Sequence, residues 1–285
     1  MKVFLSDGRA LRFWSSATTG PIVLVFHGCP DTRRIAMTGD AAAHEAGVRL
    51  LAFNRPGYGS STPMASTHTS VARDAAELLD LWDIPEVAVL GMSVGGPYAA
   101  AFAAAYPERT TALGLVSAPA LEVTEAEGSV EDAMERVRPE FEAWRARIDP
   151  EEEDDEALAA RFLAELPAAD ADLLGSIAAV VAPGLDYGSG VEFVAAMAWE
   201  ALVKPEGYLR DAALLQRPWD FDVGEIRCPV SVWAGKEDAR AVDASRWWAE
   251  RLPDADVEVL PDTTHLAALL TQWPAILRRL GKATG

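Results

Sequence analysis

Residues 87–107 read VAVLGMSVGGPYAAAFAAAYP. The stretch opens on a short apolar, β-branched run of strand length, VAVL, and closes on PYAAAFAAAYP, a run of small residues that suits a helix. Between them lies Gly91-Met92-Ser93-Val94-Gly95. A chain that turns from strand to helix within so few residues brings backbone against backbone, and glycine is the residue that permits it. The decisive reading is therefore strand, tight turn, helix, with one serine at the apex.

The same form repeats outward from this point. PIVLVFHG (21–28) and VRLLAFNRPGYG (48–59) are apolar runs that end in Gly/Pro loops, and ALGLVSAPA (112–120) is another. Continuous apolar runs of this length read as strands covered on both faces. Helices are expected over 36–46, over 70–82 with Ser70 as N-cap, and over 97–107. Residues 2–5 and 9–15 read as two short strands around the turn Ser6-Asp7-Gly8. Strands alternating with helices imply an α/β fold with a mostly parallel central sheet flanked by helices.

The rhythm stops at about residue 121 and resumes near 220. From 121 to 219 the chain is Ala- and Glu-rich, helical in period and acidic, with EEEDDE at 151–156. CPVSVWAG (228–235), a helix over 243–252, DVEVLP (256–261) and a last helix near 267–280 then complete the alternation. The predicted organisation is one α/β core, residues 1–120 and 220–285, interrupted by an acidic helical cap over 121–219.

The formal net charge is −19, and residues 121–170 hold 17 acidic against 5 basic side chains. Phosphate backbones and anionic membrane surfaces need clustered Lys and Arg, so neither a nucleic acid nor a membrane is an expected partner. Two cysteines, Cys29 and Cys228, do not make a disulfide framework. The N-terminal MKVFLSDGRALRFW lacks the apolar run of a signal peptide, and no window offers about 20 unbroken apolar residues. The expectation is a soluble, cytoplasmic protein acting on a small molecule, with a homo-oligomer compatible with the sequence.

A serine hydroxyl attacks a carbonyl only when a base takes its proton. Where a serine stands at a strand-to-helix elbow, the acid and the histidine follow it in chain order. Of His27, His44, His68 and His265, only His265 follows Ser93. The acid should lie at a strand end between them, because parallel sheets place their sites at the carboxyl ends of strands. Asp238, three residues past Gly235, is favoured; the adjacent Glu237 stays open, and Asp222, Asp243, Asp254 and Asp256 are weaker alternatives. Backbone N–H groups of Cys29 and Val94 are candidates for an oxyanion hole. The histidines show no metal-ligand spacing, so no metal and no cofactor is expected.

HGCPDTRR (27–34), NRPGYGSS (54–61), GMSVGGP (91–97), AGKED ending at Asp238 and TTH (263–265) resemble the successive signature loops of the α/β-hydrolase superfamily. Within it, Gly91–Pro97 with the following PERTTALGLVSAPA is similar to an actinobacterial-type group that includes esterases and proline iminopeptidase-like proteins. The resemblance implies an α/β-hydrolase fold, a serine hydrolase triad of Ser93, Asp238 and His265, oxyanion N–H groups on Cys29 and Val94, and a helical cap over the pocket. The pair Trp199-Glu200 resembles the Trp-Glu pair in the cap of proline iminopeptidases, which would make these two residues substrate-binding. The activity expected first is hydrolysis of a carboxylic ester or lactone through an acyl-enzyme. The alternatives are an aminopeptidase and a non-catalytic ligand-binding protein on the same fold.

Overall fold

The computed structural model describes residues 1–151, 154–252 and 254–282. Residues 152 and 153 of the acidic stretch lie outside the described residues. Eight strands form one sheet: β1 (Lys2–Phe4), β2 (Ala10–Ser15), β3 (Ile22–Phe26), β4 (Arg49–Phe53), β5 (Val87–Met92), β6 (Thr110–Val116), β7 (Val230–Gly235) and β8 (Asp256–Leu260). Their spatial order is β1-β2-β4-β3-β5-β6-β7-β8. The first two pairings, β1 with β2 and β2 with β4, are antiparallel; every later pairing is parallel. The sheet is thus mostly parallel, and β5, which leads into Ser93, runs near its middle.

Side-chain alternation on the central strands explains why their sequences are apolar throughout. Val23, Val25, Ala88, Leu90 and Met92 enter one buried cluster, and Leu24, Phe26, Val87 and Val89 enter another. Successive residues point to opposite faces, so a strand buried on both sides needs apolar residues at every position. β8, at the sheet edge, is largely exposed at Asp256, Glu258 and Val259.

Helices α1 (Asp40–Ala46), α2 (His68–Asp80) and α3 (Gly95–Ala105) connect the first strands. The cap of α2 is Thr67, three residues before the expected Ser70. Thr67 accepts from the Ser70 N–H, and the Ser70 hydroxyl accepts from the Thr67 N–H in a capping box. Among the described residues, five α-helices follow β6: α4 (Val130–Arg147), α5 (Asp155–Ala164), α6 (Ala168–Val181), α7 (Gly190–Leu202) and α8 (Pro205–Leu215). The buried residues of α6, Asp170, Leu174 and Ala178, recur every fourth position and continue at Ala182. This stretch, Ala168–Leu185, is by length and composition alone apolar enough to cross a membrane, and 22% of it is buried. After β7 the chain forms α9 (Ala239–Arg251), then β8, α10 (Ala267–Leu270) and α11 (Trp273–Lys282).

Candidate active site

Only Ser93 and Val94 separate β5 from α3. Ser93 takes φ +50°, a left-handed conformation that a non-glycine residue adopts at a cost of about 1–2 kcal/mol. The turn is held by Ser93 N–H donating to the Val116 carbonyl at 2.8 Å and Gly96 N–H donating to the Ser93 carbonyl at 2.8 Å. A Cβ on Gly91 would stand 2.5 Å from the Gly95 oxygen, and one on Gly95 would stand 2.6 Å from the His27 oxygen. Both glycines are therefore required by close approach, the second against the loop that carries Cys29.

Asp238 stands three residues past the end of β7 and caps α9, its Oδ1 accepting from the Ala241 N–H at 3.1 Å. That cap starts the helix four residues before the expected 243. The other carboxylate oxygen accepts from His265 Nδ1. The hydrogen bond from His265, joined by the N–H groups of Ala241 and Arg240, holds the Asp238 carboxyl below its ordinary range against the opposing effect of burial. With Nδ1 donating to Asp238, the neutral imidazole carries its free acceptor on Nε2. Glu237, the open alternative, has an exposed side chain, and its backbone N–H donates to the Thr263 carbonyl at 3.0 Å. The loop that carries His265 is fixed further by the Ser117 hydroxyl, which donates to the His265 carbonyl at 3.0 Å.

Ser93 and His265 line the same two cavities. The first, of about 240 Å³, has apolar walls that include Ile35, Met92, Trp144, Phe162, Leu174 and Met197. Four of those six come from helices between β6 and β7. Gly28, Cys29 and Asp31 border it as well. The second cavity, about 600 Å³, adds Val94, Ser117, Asp238, Arg240 and Trp247. Val94 is the N-cap of α3, at the positive end of its backbone dipoles. Burial, with Asp211 adding to it, pushes the Cys29 thiol above its ordinary range, so that sulfur stays a protonated thiol.

A family model described as the alpha/beta hydrolase fold matches residues 21–270. The chain belongs to the α/β-hydrolase fold family. This α/β hydrolase is 33% identical over 140 residues to an uncharacterized hydrolase, YcgS, of Bacillus subtilis (strain 168), a match covering 48% of this chain and 49% of that protein. The match thus spans about half the length of that curated relative. Among solved structures, a thermophilic esterase from Thermogutta terrifontis superposes with a TM-score of 0.70 at 23% identity, covering 100% of each chain. The enol-lactonase from Burkholderia xenovorans LB400 superposes with a TM-score of 0.68 at 19% identity, covering 100% of this chain and 99% of that one. At these identities the likeness is one of fold.

The expected substrate-binding pair lies away from these cavities. Trp199 is 41% exposed on α7. Glu200 is buried and bonded to Arg33, to Arg34 at 3.0 Å and to Asn54 Nδ2 at 3.1 Å. Burial works to raise the Glu200 carboxyl, but Arg33 and Arg34 outweigh it and leave it below its ordinary range. Neither residue is among those lining the cavities at Ser93. The physical reason is the partnership: two guanidinium groups satisfy the carboxylate that a substrate ammonium would need. Trp219, Trp233 and Trp248 are core residues. Trp247 lines the second cavity and Trp144 the first.

A buried polar frame beneath the Cys29 loop was not legible in the sequence. Arg55, 1% exposed, donates to the carbonyls of His27 and Gly28, the latter at 2.8 Å, and pairs with Asp211 of α8. Tyr58 and Tyr98 donate their hydroxyls to the same carboxylate at 2.6 and 2.7 Å. His27 Nδ1 donates to the Gly28 carbonyl at 2.9 Å, and its Nε2 accepts from the Arg55 N–H at 3.2 Å. Burial, then the charge of Arg55, holds His27 well below its ordinary pKa, so it is neutral and structural. NRPGYG signals a tight loop after β4, but nothing local marks Asp211 as its partner.

Asp31, beside this loop, accepts from the Thr32 N–H at 2.6 Å. Burial raises its carboxyl from 3.8 to about 7, against the opposing pull of Thr32 N–H and Arg55. Between those values the unfolded chain has released a proton that the folded chain still holds. This group's contribution to stability therefore falls as pH rises through that window. Asp31→Asn is expected to gain thermal stability relative to the parent, by more at pH 8 than at pH 5. Melting curves of both proteins at the two pH values check this, and a gain independent of pH would contradict it.

Proposed function

We propose that this chain is a serine hydrolase that cleaves a carboxylic ester or lactone of a small to medium substrate through an acyl-enzyme. The observation that carries this reading is the pairing of Asp238 with His265 in the second cavity, which Ser93 also lines from its left-handed turn. In this reading Ser93 Oγ attacks the carbonyl and His265 Nε2 takes its proton. Asp238 fixes the imidazole and stabilises the imidazolium. The N–H groups of Cys29 and Val94 receive the developing oxyanion. His265 returns the proton to the leaving alcohol, and a water activated by the same base releases the acid. The helices α4–α8 act as the cap that supplies the apolar wall.

The two cavities at Ser93, about 240 and 600 Å³, have room for a small to medium substrate, the smaller and more apolar of them suiting a short to medium acyl group. The aminopeptidase reading loses its main support, because Glu200 is occupied by Arg33 and Arg34.

The test is a plate of p-nitrophenyl esters of increasing chain length with proline and alanine p-nitroanilides, run on the parent and on Ser93→Ala. Ester turnover that peaks at short to medium chains and vanishes in the variant is expected. Turnover that survives the loss of the Ser93 hydroxyl would overturn the mechanism. Preference for the anilides would move the reading to an aminopeptidase.

A further inference from the structure

The loop that carries His265 is held from two sides. From the core come the Ser117 hydroxyl on the His265 carbonyl, at 3.0 Å, and the Glu237 N–H on the Thr263 carbonyl, at 3.0 Å. From the other side comes a single carboxylate, that of Asp170 in the first turn of α6. Its Oδ1 accepts from the Thr264 hydroxyl and from the Ala267 N–H at 3.1 Å. These two donors bracket His265 in sequence, one residue before it and two after. Asp170 is 1% exposed and borders the cavity that also holds Ser93 and His265. It begins the buried stripe by which α6 meets the rest of the protein, so its position is set by the docking of the whole helix.

The geometry points to Asp170 as a positioning residue through which the helical insertion sets the placement of the base. This rests on the reading of His265 as the base of a serine hydrolase. A carboxylate that accepts two hydrogen bonds on either side of a residue fixes the backbone of that residue, and charge-assisted bonds of this kind are about twice as strong as neutral ones. The imidazole then meets Ser93 correctly only while α6 is docked. Displacement of α6 removes both bonds at once, and the base loop keeps only its core-side anchors. A shift of about 1 Å in a catalytic group costs up to about 10²-fold in rate. Substrate entry under the insertion and activation of Ser93 would thereby be coupled, with no residue of the insertion taking part in proton transfer.

The experiment compares Asp170→Ala, Asp170→Asn and Thr264→Val with the parent. It measures kcat and KM on a short p-nitrophenyl ester, the rate of Ser93 labelling by a fluorophosphonate, and folding by circular dichroism. Asp170→Ala is expected to lower kcat and the labelling rate by about ten- to a hundredfold with KM little changed. Asp170→Asn keeps an acceptor oxygen for both donors and should recover most of that loss. Thr264→Val, altered on the partner side and nearly isosteric, should show a smaller fall in kcat of the same kind even if Asp170→Ala fails to fold. Unchanged labelling in folded Asp170→Ala, or a rise in KM alone, would overturn the positioning role. Absence of labelling in the parent would instead overturn the serine hydrolase reading on which it stands.

Discussion

Loss of the Ser93 hydroxyl or of the His265 imidazole is expected to lower kcat for ester hydrolysis by about 10⁴- to 10⁶-fold, and Asp238→Asn by about 10⁴-fold. In the proposed mechanism the three residues act as a unit, so the double variant Ser93→Ala/His265→Ala should be scarcely worse than either single one. Each side chain is held in place by its own anchors. Ser93 is presented by a turn locked to Val116, Asp238 by its cap on α9, and His265 by Asp238 itself. Side-by-side kinetics on one ester check the ordering. Independent, multiplicative losses would mean that the three do not work together. Asp238→Asn should leave the fold intact, because an amide oxygen can still cap α9 while the imidazole loses the carboxylate that sets its tautomer.

Asp211→Ala is expected to destabilise the fold by about 3–5 kcal/mol, a large share of the roughly 5–15 kcal/mol that a domain possesses. The carboxylate is 2% exposed and takes a guanidinium and two tyrosine hydroxyls. Its removal leaves the Arg55 charge buried with no anionic partner among the described residues, only carbonyls and the Tyr58 and Tyr98 rings, and an unpaired buried charge is the costly case. The residue lies on α8 and has no place in the proposed chemistry. Yet Arg55 also holds the carbonyls of His27 and Gly28, so the Cys29 loop should loosen with it. Urea unfolding of parent and variant gives the difference, and a loss under about 1 kcal/mol would show that α8 and the loop are not coupled through this pair.

The central strands were readable because burial on both faces leaves no room for polar residues, and PIVLVF, LLAF, VAVLGM and ALGLV each become a strand of the sheet. The turn at Ser93 was readable because its glycines answer a local steric demand. Less was legible where partners come from distant segments. The cap of α2 went to Thr67 because Ser70 is used in the reverse direction. The last helix divides at Thr271-Gln272 into α10 and α11, which the amphipathic period alone does not mark. Glu200 looked available for a substrate because Arg33 and Arg34, some 166 residues away, are not apparent as its partners in a linear reading. Asp170 and Asp211 gave no signal at all, since an acidic residue in a helix reads as surface until the loop it meets is known.

The most direct measurement is to label the folded protein with a fluorophosphonate and map the adduct by mass spectrometry. A single adduct on Ser93, lost in Ser93→Ala and slowed in His265→Ala, is the expected result. An adduct on another residue, or a parent protein that hydrolyses esters without any adduct forming at Ser93, would contradict the assignment of Ser93 as the nucleophile.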